Sequence, residues 1–197
     1  MRKTIQLEMS FLPDSLAGHP LIDFESLDAL FVDLDDTIVD YRNSCIVGLS
    51  QIKKIIPELA SVELGTLELE FRKILRDNLP KLFDGLMTVN QERMMRIGEI
   101  LRRHGGPAGE EDVRECDRLF TEGFWSMRSL IDGAGRILEI CHNFNIPVVV
   151  ITNGNLEMQL RTLNMLHLER YIHTLLTPTD SSSLKGLSLQ PTGLPTM

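Results

Sequence analysis

Residues 147–151 read Pro-Val-Val-Val-Ile and run directly into Thr152, Asn153 and Gly154. This unbroken, largely β-branched run constrains the fold more than any other stretch of the chain. A strand with one wet face alternates apolar and polar residues. A run with no alternation suits a parallel sheet covered on both faces. Parallel neighbours need long crossovers, usually helices, so an α/β domain with a parallel sheet is expected. The flanking sequence agrees. Residues 133–145 have helical periodicity, with Ile137, Cys141 and Phe144 inward, and Asn155 can cap a helix with Leu156, Leu160 and Leu163 on one side. A further strand is expected at about 172–176.

A second apolar run, 29–32, meets a cluster of acids: Asp33, Leu34, Asp35, Asp36, Thr37. Side chains alternate along a strand, so Asp33 and Asp35 point the same way while it lasts. The C-terminal end of a parallel strand is where open α/β sheets bind ligands. Two aspartates there can hold a divalent cation, with one attacking and the other moving protons. Taken alone, the stretch also reads as a solvated acidic turn. Thr152, Asn153 and Gly154 form a second polar mouth. The Thr152 hydroxyl and the following amides can donate to phosphate oxygens near a helix N-terminus, although Asn-Gly is also a common turn pair.

Between the two runs the pattern is helical. Ser44 is a candidate cap for a helix with Ile46, Leu49, Ile52 and Ile55 inward, stopped by Pro57. Thr66 is the candidate for the next, with Leu67, Phe71, Ile74 and Leu75, stopped by Pro80. Thr88 and Gln91 have capping-box spacing before Met94, Ile97 and Leu101, and Gly105-Gly106-Pro107 ends that helix. A fourth carries Val113, Cys116, Phe120 and Phe124. Four amphipathic stripes with short breaks predict a small bundle. Residues 1–28 read as an extension in which Ile5, Leu7 and Met9 alternate as a short strand or a loose leader.

With 20 basic and 28 acidic side chains the net charge is −8, which argues against binding driven by nucleic-acid phosphates. No apolar run is long enough to span a membrane, and no signal peptide is expected. Cys45, Cys116 and Cys141 lack metal-ligand spacing and read as free thiols, so a cytoplasmic location is expected.

In this order, Asp-x-Asp-x-Thr at 33–37, a helical insert, and a strand ending in Thr152-Asn153-Gly154 resemble the haloacid dehalogenase-like (HAD) superfamily, phosphatase branch. The resemblance covers about 29–185. It implies a Rossmann-like core from 29–41 and 128–185, a C1-type helical cap over 42–127, and a tail at 186–197. It implies a Mg²⁺-dependent phosphatase acting on a small-molecule phosphorylated substrate. Asp33 would be the nucleophile and Asp35 the general acid and base. Asp33, with the backbone carbonyl of Asp35, would hold the metal. Thr152, Asn153, Gly154 and Lys185 would hold phosphate. Dehalogenases lack an acid at the position of Asp35, because a halide leaves without a proton. Asp36, often glycine in relatives, reads as a turn or capping residue. Tyr41 and Arg42 stand where a hinge into the cap would lie, and a loop at His104 could reach the site from the cap.

The resemblance departs from the family after Lys185. Gly186 replaces a common proline, and no further strand with an acidic pair follows, so the chain is expected to be shortened at its C-terminus. The family's missing strand would lie beside strand one. Its loss would leave 29–34 as an edge open to residues 4–9 or to self-association with a second chain. The alternative function is therefore a truncated or catalytically impaired protein acting by binding, or without activity.

Overall fold

The computed structural model describes residues 26–178 and 187–188. Strand β1 (Leu30–Val32) leads into helices α1 (Tyr41–Ile55), α2 (Leu64–Phe83), α3 (Val89–Arg103) and α4 (Glu110–Ser126), with a 3₁₀ turn at Pro57–Leu59. Then come α5 (Ala134–Asn143), β2 (Val148–Ile151), α6 (Leu156–Met165), β3 (Thr174–Leu176) and β4 (Leu187–Ser188). The architecture is α/β, a three-strand parallel sheet with an inserted helical bundle.

The sheet order is β1-β2-β3-β4, with β1, β2 and β3 parallel and β4 antiparallel to β3. Leu30 and Val32 register with Val148 and Val150, and Val150 with Leu175. Each step from β1 to β3 moves the same way across the sheet. Right-handed crossovers then put α5 and α6 on one face. On that face Val148, Val150 and Leu175 are buried against Leu138, Cys141 and Leu163. The opposite face differs from expectation: Phe31 is 65% exposed and Ile151 50%. The β-branched run is a parallel strand, but it is fully covered on one side only, with Val149 half-buried and Ile151 exposed on the other.

The strand expected to be missing beside β1 is not supplied by β4. That two-residue strand lies beyond β3, at the far side of the sheet, and β1 is an edge among the described residues. Residues 4–9, offered as an edge cover, lie outside the described residues.

The bundle has its own core, with Leu49, Leu59, Leu67, Phe71, Ile97, Leu101 and Cys116 almost fully buried. Helices α1 and α4 cross closely: a Cβ on Gly48 would stand 2.7 Å from the Phe120 ring and 2.8 Å from its carbonyl. The Thr88–Gln91 capping box is present. Two other expected caps are corrected. Asp40, not Ser44, caps α1 through a bond from the Asn43 N–H, and α2 starts after Glu63 rather than at Thr66. Pro80 does not stop α2, which continues to Phe83 and closes with the Asp84 N–H on the Pro80 carbonyl. In α5 the inward residues are Leu138 and Cys141, and Ile137 faces water. All three cysteines are free and buried, and burial pushes the Cys45 thiol up to about 12 and that of Cys116 to about 11. No helix among the described residues is long and apolar enough to cross a membrane.

Candidate active site

The turn after β1 is built by Leu34, whose buried carbonyl accepts the Ile38 and Val39 N–H groups. Asp36 takes the left-handed conformation (φ +59°) that the tight turn requires, and its Oδ1 accepts the Arg42 N–H at 2.8 Å. It is a turn and capping residue, as expected. Val39 then pairs antiparallel with Leu130, so the two chain segments entering and leaving the bundle lie side by side.

Asp33 follows directly on β1 with its side chain exposed, and Thr37 Oγ1 lies 3.5 Å from its Oδ2. Partial burial raises the pKa of Asp33, and the nearby charges of Asp35 and Asp36 add to this. The Leu34 backbone and Thr37 hydroxyl oppose the rise.

Asp35 is held at both oxygens. Arg128 Nη2 donates to Oδ1 at 3.2 Å, and Gln159 Nε2 donates to Oδ2 at 2.7 Å. Arg128 is itself buried, donates to Thr162 Oγ1 at 2.8 Å, and lies among the rings of Tyr41, Phe124 and Trp125 at 4.8–5.7 Å. Stacking on aromatic faces is a favourable environment for a guanidinium.

Thr152 is buried at the end of β2. Its hydroxyl oxygen accepts from the Gly154 N–H and from Gln159 Nε2, both at 3.1 Å. Asn155 caps α6 through the Glu157 and Met158 N–H groups. Gly154 makes a close approach: a Cβ there would stand 1.9 Å from Gln159 Nε2 and push that amide from its place.

These residues line one cavity of about 800 Å³, within the usual size range of small-molecule sites. Asp33, Asp35, Thr152, Asn153, Gly154, Arg128 and Gln159 line it from the sheet side. The bundle contributes Leu79, Arg93, Arg96, Phe120 and Trp125 among others. The structure thus brings together the site residues expected from the sequence, except Lys185, which lies outside the described residues. The Gly154 N–H is already taken by Thr152, which leaves the Asn153 N–H as the amide without a partner among the described residues. His104 does not line the cavity; its Nε2 lies 3.2 Å from Glu70.

Sequence reasoning missed Arg128 and Gln159. Gln159 had a readable signal, since it lies one helical turn beyond the Asn155 cap and so on the same face of α6. Arg128 sits alone in the segment leaving the bundle and carries no pattern.

For a divalent cation, the Asp33 carboxylate and the Asp35 carbonyl are hard oxygen donors. No backbone bond among the described residues takes up that carbonyl. No group of three or more His, Cys, Asp or Glu side chains that could hold a metal is found among the described residues. Mg²⁺ commonly keeps several waters and substrate oxygens, so two protein donors fit it.

A haloacid dehalogenase-like hydrolase family model matches residues 27–187. Comparison with curated proteins gives no significant match. Solved structures similar in fold include YfnB of Bacillus subtilis, described as a HAD-hydrolase and bound to magnesium. It is 18% identical, with a TM-score of 0.61, over 79% of this chain and 67% of that one. A dehalogenase is 18% identical (TM-score 0.62) over 82% of this chain and 66% of that one. A predicted phosphoglycolate phosphatase of Haemophilus somnus is 12% identical (TM-score 0.51) over 77% and 63%. The chain thus spans about two thirds of the length of these structures, and at such identities the likeness establishes the fold. The family match covers most of the chain, and the chain belongs to the haloacid dehalogenase-like hydrolases.

Proposed function

We propose that the chain is a Mg²⁺-dependent phosphatase that hydrolyses a small-molecule phosphate monoester through an aspartyl-phosphate on Asp33. The observation that carries the reading is the convergence of Asp33, Asp35 and Thr152 on one cavity between sheet and bundle. Asp35 separates it from haloacid dehalogenation, which needs no proton donor for the leaving group.

In the first step an Asp33 oxygen attacks phosphorus, the bond to the ester oxygen breaks, and Asp35 gives that oxygen a proton. In the second, Asp35 takes a proton from water as the water oxygen attacks phosphorus, and inorganic phosphate leaves Asp33. Thr152 and the Asn153 amide hold phosphoryl oxygens through both steps, and Lys185 adds positive charge. Asp33 and the Asp35 carbonyl would hold Mg²⁺, which neutralises charge on the phosphoryl group. The bundle wall sets which leaving group fits.

The lack, among the described residues, of a group of three or more acidic, His or Cys side chains able to hold a metal favours a second reading, binding without turnover. Phosphate release from p-nitrophenyl phosphate with and without Mg²⁺, beside chloride release from a 2-chlorocarboxylic acid, tests both. Mg²⁺-dependent phosphate release lost in Asp33→Asn supports the phosphatase. Chloride release alone would make the chain a dehalogenase, and neither product would favour binding.

A further inference from the structure

We infer that Gln159 is the positioning residue for Asp35, and that its one amide nitrogen sets the proton direction at both ends of the site. The inference rests on the phosphatase reading.

Gln159 Nε2 has two hydrogens and two partners, Asp35 Oδ2 at 2.7 Å and Thr152 Oγ1 at 3.1 Å. Because any proton on Asp35 is kept for the ester oxygen or water, its Oδ2 accepts from Gln159, and the nitrogen rather than the oxygen of the amide faces it. The side chain is 2% exposed and is anchored in α6, so it has little freedom to turn. The consequence at Thr152 is definite. Its oxygen accepts from Gln159 and from the Gly154 N–H. Both lone pairs are then used, and the hydroxyl proton is left to donate outward, as a phosphate oxygen requires.

At Asp35, Arg128 takes a lone pair on Oδ1 and Gln159 one on Oδ2. The plane of the carboxylate is fixed, and each oxygen keeps one lone pair for the proton it would exchange with the ester oxygen or water. Gly154 belongs to the same device, since any side chain there would displace the amide. The Gln159 Oε1 is buried without a partner among the described residues, on a side chain that lines the cavity.

The test compares two esters in the presence of Mg²⁺: p-nitrophenyl phosphate, whose leaving group departs without protonation, and ethyl phosphate, whose leaving group needs a proton. The readout is kcat/KM, which reports the steps through loss of the leaving group. Proton transfer by a positioned group is worth roughly 10²–10⁴-fold. Gln159→Leu is expected to lower kcat/KM on ethyl phosphate by about 10²-fold and on the aryl ester by less than about tenfold. Binding of inorganic phosphate, measured by calorimetry, is expected to weaken by less than about tenfold, since Thr152 loses the Gln159 bond but keeps its bond to Gly154. Gln159→Asn, which keeps the amide but draws it back, is the companion variant should the leucine disturb folding, and the same bias toward the alkyl ester is expected. Equal losses on the two esters, or a loss of phosphate binding as large as the loss of turnover, would overturn the positioning role alone. No turnover of either ester by the unaltered chain would overturn the phosphatase reading, and this inference with it.

Discussion

The helical bundle encloses a well-sealed apolar core, whereas the sheet leaves one face partly open. In the bundle, Leu49, Leu67, Ile97, Leu101 and Cys116 are at most 1% exposed, and even an ion pair at the cavity wall, Glu92 to Arg96 at 2.9 Å, is buried. In the sheet, Val148 and Val150 are buried on the α5 and α6 side while Phe31 and Ile151 meet water on the other. Two of the bundle's charges are partnered inward, Arg96 lying 4.0 Å over the Phe71 ring and Arg93 paired twice with Asp117. The sheet's charges stand at its open end, with Asp33 exposed and Asp35 facing the cavity. A region built from local amphipathic stripes can close on itself. A sheet depends on distant elements, and its unclosed end is where chemistry has room.

The largest expected effect tests whether the exposed charge serves chemistry alone. Asp33→Asn should lower kcat by at least about 10³-fold, roughly 4 kcal/mol in barrier, while the melting temperature moves by no more than about 2 °C. A large fall in melting temperature would show that Asp33 holds the fold, as the bundle's charges do. The pH profile sharpens this. The attacking carboxyl must be ionised, and partial burial raises the Asp33 pKa. In the metal-free chain its titration, followed by NMR, should therefore lie above that of an ordinary aspartate, and added Mg²⁺ should bring it down.

The buried ion pair at the cavity wall should behave in the opposite way, with stability affected most. Arg96→Met leaves Glu92 buried and unpaired, which should cost about 3 kcal/mol at pH 8. Burial already raises the Glu92 pKa against the pull of Arg96. The folded chain therefore binds this proton more tightly than the unfolded chain. Its stabilising contribution is present below the ordinary glutamate range and is lost as pH rises through the raised value. Removing Arg96 steepens that dependence, so the deficit in urea unfolding should shrink toward pH 4. The pair Glu92→Leu with Arg96→Met should recover most of the loss. A deficit independent of pH would assign it to lost packing on Phe71.

The same contrast decides what could be read from sequence. The bundle's stripes (apart from Ile55, which is 47% exposed), the Thr88–Gln91 box and the Asn155 cap are set by residues within one turn of each other, and they were legible. Ser44 and Thr66 were misread because Asp40 and Glu63 start those helices earlier; Ser44 is inside α1, its hydroxyl donating to the Asp40 carbonyl. Pro80 was misread because its ring removes one donor, while the packing that carries α2 onward is not local. Asp33, Asp35 and Thr152 announced themselves as polar ends of apolar runs. Arg128 could not, and Gln159 showed only its place one turn beyond the Asn155 cap, since their bonds to Asp35 span 93 and 124 residues of chain.

A smaller effect tests the two faces of the sheet directly. Val150→Ala, on the face buried by Leu138 and Leu163, should cost about 2 kcal/mol in urea unfolding. Phe31→Ser, on the open face of β1, should cost less than about 0.5 kcal/mol and reduce any association of the chain at high concentration. A cost for Phe31 near that of Val150 would mean that this face is covered in solution.

The smallest effect asks how much of the bundle's closure is local. The Thr88 hydroxyl accepts the Gln91 N–H at 3.2 Å, and the Gln91 carbonyl oxygen of its side chain accepts the Thr88 N–H at 2.9 Å. Thr88→Ala removes the first bond and leaves an N–H that water can reach, so the loss should be about 1 kcal/mol. The double variant Thr88→Ala with Gln91→Ala should lose little more than the single, because the two bonds support one helix end. Because Thr88, Val89 and Asn90 also line the cavity, fraying of the α3 start would show a second time, as weaker substrate binding with kcat unchanged. If stability falls and KM holds, the cap serves only the helix. If both move, the first turn of α3 is part of the wall that selects the leaving group.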